Sequence, residues 1–168
     1  LVFKSLLELS SDTSRPLVVH AEGEPEVREK ILKILPSYPN ARVVWAHGCG
    51  RSDPKLIYQW LKSNSNLYCD PANMTDTGHY GSMWPRAGEW TFQLERNGVI
   101  EPEWIKVIHA FPERLYLGSD VNETKGWKSA WKKRIIRFRK SLDQVSSPAQ
   151  EWLAWRTVES LYGTTQAR

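Results

Sequence analysis

Four short apolar runs each stop at an ionisable residue. PLVVH closes on His20, ARVVWAH on His47, NLYCD on Asp70 and RLYLGSD on Asp120. Imidazole nitrogen and carboxylate oxygen are the usual protein ligands of a divalent metal such as zinc. A metal lowers the pKa of bound water, so that hydroxide is available near neutral pH. A carboxylate beside it can take the proton and pass it to a leaving group. Each residue also has a plainer reading: a satisfied core imidazole for the histidines, a cap or turn for the aspartates. Asp70-Pro71 is a good turn start.

Other polar residues lie close by in the chain. Gly48 and Gly50 follow His47 and would let backbone approach a ligand. Arg51 could clamp a substrate carboxylate through its planar fork, although a solvated arginine is the commoner case. Glu22 and Asn122 stand two residues past His20 and Asp120, at the expected rim. The segment MTDTGHYGSMWPRAGEW (74–90) is long for a connection in a compact domain. Its His79, Tyr80, Trp84 and Trp90 could close over an organic substrate or only pin the segment down. His109 falls within a predicted helix and reads as structural.

The elements that would position these residues alternate along the chain. Helical spacing runs through Leu1, Phe3, Leu6, Leu7 and Leu9 before the PLVVH strand. PEVREKILKIL (25–35) predicts a helix, with Pro25 in its first turn and Val27, Ile31, Ile34 and Leu35 on one face. ARVVWAH follows as a strand. DPKLIYQWLKS (53–63) predicts a helix with Asp53 at the N-cap and Pro54 at N1. After NLYCD and the 74–90 segment come the helix EPEWIKVIHAF (101–111) and the strand RLYLGSD. A basic amphipathic helix at about 125–143 precedes the last one, SPAQEWLAWRTVESLYG (147–163). Ser147 with Gln150 suggests a capping box there, and Gly163 a C-terminal stop.

Continuous apolar strands without alternation suit a parallel sheet covered by helices on both faces. The first three strand ends, at 20, 47 and 70, have the spacing of βα units. In parallel α/β folds the site lies outside the carboxyl ends of the strands, so all four ionisable residues are expected at one mouth.

The chain is 168 residues long, 40% hydrophobic and 25% charged, enough for one domain (1–168) with a real core. Much of its net charge of +4 falls in KGWKSAWKKRIIRFRK (125–140). A charged outer helix face explains that run without nucleic acid, for which no motif is present. Two cysteines, Cys49 and Cys69, are too few for a disulfide framework and are expected as buried, reduced thiols. No apolar stretch reaches the roughly 18 residues that span a membrane, and no signal peptide is evident. The expectation is a cytoplasmic protein with neither a membrane nor a nucleic-acid partner.

PLVVHAEG, YPNARVVWAHGCGRSDP, NLYCDPAN and FPERLYLGSD, in that order, resemble the second half of an amidohydrolase TIM barrel. The amidohydrolase-2 group of metal-dependent hydrolases and decarboxylases is the nearest match, over roughly residues 5–163. The resemblance implies an α/β fold of the (β/α)8 TIM-barrel type, with about the last four βα units present. It implies His20 and Asp120 as ligands of a divalent metal, zinc the first choice, and His47 and Asp120 as catalytic residues. Arg51, Glu22, Asp70, Asn122 and Trp84 are then the candidates for contact with a small-molecule substrate. On this reading activated water attacks an ester, lactone or amide carbon, Asp120 takes the water proton, and His47 stabilises the oxyanion. A non-oxidative decarboxylase on the same scaffold would use His47 as proton donor and Arg51 as clamp. A non-catalytic half-barrel module is the reading outside enzymes.

The chain departs from the group's pattern in two places. It has no H-x-H, which the first barrel strand carries in the group. It has Thr157-Val158-Glu159 where members tend to have Asn-Ala. Four strands do not close an eight-stranded barrel, so a missing N-terminal half or a second copy, as in a homo-oligomer, is expected to complete it.

Overall fold

A computed structural model describes residues 2–72, 74, 92–120 and 131–163. Three strands, β1 (Pro16–Val19), β2 (Arg42–Trp45) and β3 (Leu67–Asp70), form a parallel sheet in that order. The register pairs Val18 with Val44 and Val44 with Tyr68. β2 is the middle strand, and its Val43, Val44 and Trp45 are fully buried. That two-sided burial is why RVVW carries no polar alternation. Each such side chain contributes roughly 1.5–3 kcal/mol by leaving water.

Helices α1 (Val2–Thr13), α2 (Pro25–Ile34), α3 (Pro54–Ser63) and α4 (Pro102–Ala110) pack around the sheet; α2 joins β1 to β2 and α3 joins β2 to β3, as parallel pairing requires. Asp53 caps α3 as expected, its Oδ1 accepting from Lys55 N at 2.8 Å. The main core gathers Leu7 of α1, Ile31 of α2, Ile57 and Leu61 of α3, and Trp104, Val107 and Ile108 of α4 against Val43, Trp45, Leu67 and Cys69. The basic run forms the helix α5 (Trp131–Leu142), with Phe138 and Ser141 buried and Lys132, Lys133, Arg139 and Lys140 exposed. The part of that run before 131 lies outside the described residues.

The last helix, α6, is α-helical over Ser147–Glu151, π-helical over Trp152–Arg156 and α-helical again over Thr157–Tyr162. Its N-cap is Ser146, not Ser147, and no side-chain bond caps it, so the expected capping box is not formed. Gln150 instead donates its Nε2 to Val145 O at 3.0 Å. Gly163 ends the helix with φ −53, not in the left-handed conformation of a glycine stop.

RLYLGSD was expected as a fourth strand. The structure gives it one parallel bridge, Cys69 to Leu115, and irregular backbone from Tyr116 to Asp120. Its amides are engaged elsewhere. Leu117 N donates to Leu153 O in the π-turn of α6 at 3.0 Å, and Gly118 N donates to the Asp70 side chain at 3.1 Å. A hairpin that the sequence reading did not anticipate joins β4 (Glu95–Arg96) to β5 (Val99–Ile100). Its turn is Asn97-Gly98, both with positive φ (54 and 78), the pairing that mirror-image hairpin turns favour.

The cysteines are not thiols. Cys49 and Cys69 form a disulfide across a sequence separation of 20. β-Strand order explains why: β2 and β3 are neighbours, and the turn after β2 lays Cys49 against the last turn of β3, with Cα atoms 5.2 Å apart.

Candidate active site at the strand ends

β2 was expected to run to His47, but it stops at Trp45. His47, Gly48, Cys49 and Gly50 then take left-handed helical angles, φ 52 to 71, and Arg51 follows with φ 57. A left-handed turn of this length is rare, because each residue with a Cβ costs roughly 1–2 kcal/mol there. Gly48 and Gly50 avoid that cost at two of the five positions. The turn is held from several sides. Gly23 N donates to Gly50 O (2.7 Å), Phe92 N to Arg51 O (2.7 Å) and Ser52 Oγ to Cys49 O (2.8 Å). The disulfide adds a covalent tie to β3.

The turn places His47 beneath His20. His20 follows β1 directly and is exposed, whereas His47 is only 3% exposed. His47 Nε2 lies 3.1 Å from His20 Nδ1, the rings edge to face with centroids 4.8 Å apart. His47 Nδ1 lies 2.9 Å from Ala72 O. A carbonyl has no proton to give, so Nδ1 of His47 carries the hydrogen and donates it. Burial, the largest influence, lowers the His47 pKa, Arg51 and His20 lower it further, and the Ala72 bond and Asp120 oppose them. The neutral ring then has its lone pair on Nε2, and His20 Nδ1 must be the donor between the two rings. Nε2 of His20 is then the outer nitrogen of this chain of bonds, on an exposed residue.

Asp70 ends β3. Its Oδ1 accepts from Ala72 N at 2.8 Å and from Gly118 N at 3.1 Å. The first bond is the turn expected from Asp70-Pro71. Burial is the main cause that pushes the Asp70 carboxyl up to about 6, with Asp120 adding to it and the two amides opposing. Asp120 has φ 48, and its carbonyl accepts from Arg134 Nη1 of α5 at 2.7 Å. Its charge acts on both His47 and Asp70.

The structure thus brings together His20 and His47 directly, with Asp70 and Asp120 in electrostatic reach. Arg51 and Glu22 are paired with each other, and Arg51 is 4% exposed. Asn122, Trp84, His79, Tyr80 and Trp90 lie outside the described residues. His109 has a structural contact, its Nε2 accepting from Ser146 N at 3.3 Å. A groove of about 580 Å³ between α3 and α4, lined among others by Tyr58, Lys106 and His109, contains none of the mouth residues. The sequence reading missed the backbone partners, Ala72 and Gly118, which have no side-chain chemistry to announce them.

In kind, this donor set suits a divalent metal: an exposed imidazole and a carboxylate. In number it is short. Among the described residues no three His, Cys, Asp or Glu side chains gather closely enough to hold an ion, whereas a catalytic zinc keeps three protein ligands.

No family model and no curated protein matches the chain. Solved structures do. An uncharacterised TIM-barrel protein from Bordetella bronchiseptica matches over 94% of this chain and 49% of its own, with a TM-score of 0.62 and 17% identity. The fold is of the TIM-barrel kind. An amidohydrolase from Burkholderia multivorans, solved with bound zinc, matches over 93% of this chain and 55% of its own, with a TM-score of 0.55 and 10% identity. The chain spans about half the length of each of these barrels. Within that fold the described residues supply three paired parallel strands, with Leu115 joined to β3 by one isolated bridge. His20 and His47 sit just past the carboxyl ends of β1 and β2, and Asp70 is the last residue of β3, the end where TIM-barrel sites are built.

Proposed function

We propose that this mouth serves a metal-dependent hydrolase acting on a carbonyl-type bond, an ester, lactone or amide, of a small organic substrate. The observation that carries the reading is the chain of contacts from Ala72 O through His47 to His20, which engages Nδ1 of His20 and leaves its Nε2 as the outer nitrogen. Metal-binding imidazoles are held in this way, the second ring nitrogen donating to a fixed acceptor. The bound zinc of the Burkholderia neighbour makes zinc the first ion to test.

His20 would hold the metal through Nε2 and Asp120 through its carboxylate, with the remaining ligands supplied by a second copy or by residues outside those described. A divalent ion held by these residues would supply Lewis acidity for the water and the substrate carbonyl. Asp120 accepts the proton of the attacking water. His47 takes a role other than the expected oxyanion stabiliser. Donation to an oxyanion needs a proton on Nε2, and the Ala72 bond puts the proton on Nδ1. His47 therefore accepts from His20 and fixes the direction of its ring.

The decarboxylase alternative is less well supported. Its proton donor would be the same Nε2, and its carboxylate clamp, Arg51, is buried against Glu22. The Cys49–Cys69 bridge fits an oxidising compartment better than the expected cytoplasm. Among the described residues no helix is long and apolar enough to cross a membrane.

The test is metal content. The protein is equilibrated with zinc, manganese or iron(II), separated from free ion and analysed for metal, alongside His20→Ala and Asp120→Ala. Retention by the parent and loss in both variants is expected. A parent that retains none of the three ions refutes the hydrolase and favours the non-catalytic module.

A further inference from the structure

We propose that Asp70 is a positioning residue: a single carboxylate oxygen at the end of β3 sets the proton position on His47 and the approach of the chain to Asp120. This deepens the reading of the mouth as an active site and rests on it for its catalytic meaning.

Asp70 Oδ1 accepts two backbone amides. One is Ala72 N, at 2.8 Å. The other carbon-side group of the same residue, Ala72 O, receives Nδ1–H of His47 at 2.9 Å. Asp70 thus anchors the amide of the residue whose carbonyl, in the next peptide unit, accepts from His47. The second amide is Gly118 N, at 3.1 Å, two residues before Asp120. A Cβ at Gly118 would collide with both Asp70 carboxylate oxygens, so the glycine is what allows this approach. The bridge from Cys69 to Leu115 holds the segment leading to Gly118 beside β3, within reach of the carboxylate.

The geometry has a direct chemical consequence. A neutral imidazole has one proton and two nitrogens, and its neighbours decide which nitrogen carries it. With Ala72 O fixed, His47 has Nδ1–H and offers Nε2 to His20. With Ala72 released, the two tautomers of His47 approach each other in population and His20 loses its fixed acceptor. Asp70 needs no contact with substrate to do this, which separates the role from the substrate-binding one expected of it.

The test reads the tautomer itself. Long-range ¹⁵N–¹H spectra of the histidines are recorded at about pH 8, where an ordinary imidazole is neutral, for the parent, Asp70→Asn and Asp70→Ala. The parent is expected to show His47 as the Nδ1–H form. Asp70→Asn has an amide oxygen that can accept both N–H groups, and is expected to preserve that form. In Asp70→Ala the ratio of Nδ1–H to Nε2–H is expected to fall by about tenfold, the net worth of one hydrogen bond. A parent-like ratio in a folded Asp70→Ala overturns the proposal. If Asp70→Ala does not fold, Asp70→Ser decides. Its hydroxyl can serve Ala72 N but is too short for Gly118 N, so faster exchange of the Gly118 amide with an unchanged His47 is expected. Parent-like protection of that amide overturns the proposal. These spectra stand whether or not the protein hydrolyses anything, so failure of the hydrolase reading and failure of this one are seen separately.

Discussion

Removing the disulfide, by Cys49→Ala together with Cys69→Ala, is expected to destabilise the protein and to loosen one particular turn. The bridge closes a loop with a sequence separation of 20. Chain-entropy arguments give such a closure about 3 kcal/mol of stabilisation. The turn that it ties down runs against that. His47, Cys49 and Arg51 are left-handed residues with side chains, so together they cost about 3–6 kcal/mol relative to ordinary backbone. The bridge therefore offsets a large part of the turn's conformational cost, and hydrogen bonds and burial supply the rest. For a chain of this length, about 3 kcal/mol corresponds to a fall in Tm of roughly 6–12 °C. Thermal unfolding of the oxidised parent and the double variant measures the global effect. Amide exchange at residues 47–51 measures the local one, and is expected to rise more than elsewhere because the left-handed turn loses its covalent tie. Both cysteines are fully buried in the folded protein, so thiol titration belongs in denaturant. Two free thiols in the untreated, denatured parent, or equal Tm values for the two proteins, would refute the reasoning.

Two other perturbations have definite signs. The Asp70 carboxyl is pushed up from 3.8 to about 6 in the fold, so the folded protein binds this proton more tightly than the unfolded chain does. Its stabilising contribution is complete below about pH 4 and is lost as the pH rises through about 6, with a ceiling of about 3 kcal/mol. Asp70→Asn should lack that decline, so urea unfolding at several pH values should show the variant gaining on the parent between pH 4 and pH 7; a constant difference would contradict it. Gly48→Ala adds a Cβ to a residue at φ +56, where it would meet the Met74 sulfur and the Trp104 ring. The backbone share alone is about 1–2 kcal/mol, and with the collision a loss above about 2 kcal/mol is expected by the same assay.

Much of the fold was legible in the sequence because it rests on local signals. Pro25, Pro54 and Pro102 each open a helix. The unbroken apolar runs at 16–19, 42–45 and 67–70 became parallel strands in chain order. What failed depended on a choice between partners. The expected strand RLYLGSD reduced to one bridge because α6 and Asp70 took its amides. The basis of the capping box at Ser147 was a two-residue pattern, and Gln150 bonded to Val145 O instead. The Asn97-Gly98 hairpin was a local signal that was there to be read, a turn dipeptide of the kind mirror-image hairpin turns favour, although only the Val99–Ile100 side is apolar.

The candidate site divides along the same line. Spacing alone placed His20, His47 and Asp70 at or just past the ends of three successive strands, though Asp120 ends none, and in a parallel sheet successive strands must present their ends on one side. That much follows from strand direction and needs no coordinates. The sequence could not determine what those residues bond to. Whether two cysteines at a separation of 20 meet, whether Arg51 faces a substrate or Glu22, and which nitrogen of His47 carries the proton are all fixed by the packing of β2 against β3 and by the left-handed path of residues 47–51. Five consecutive left-handed residues have no propensity in their favour. They exist because a disulfide, buried hydrogen bonds and an ion pair from three separate segments outweigh the local cost, and only the tertiary structure brings those segments together.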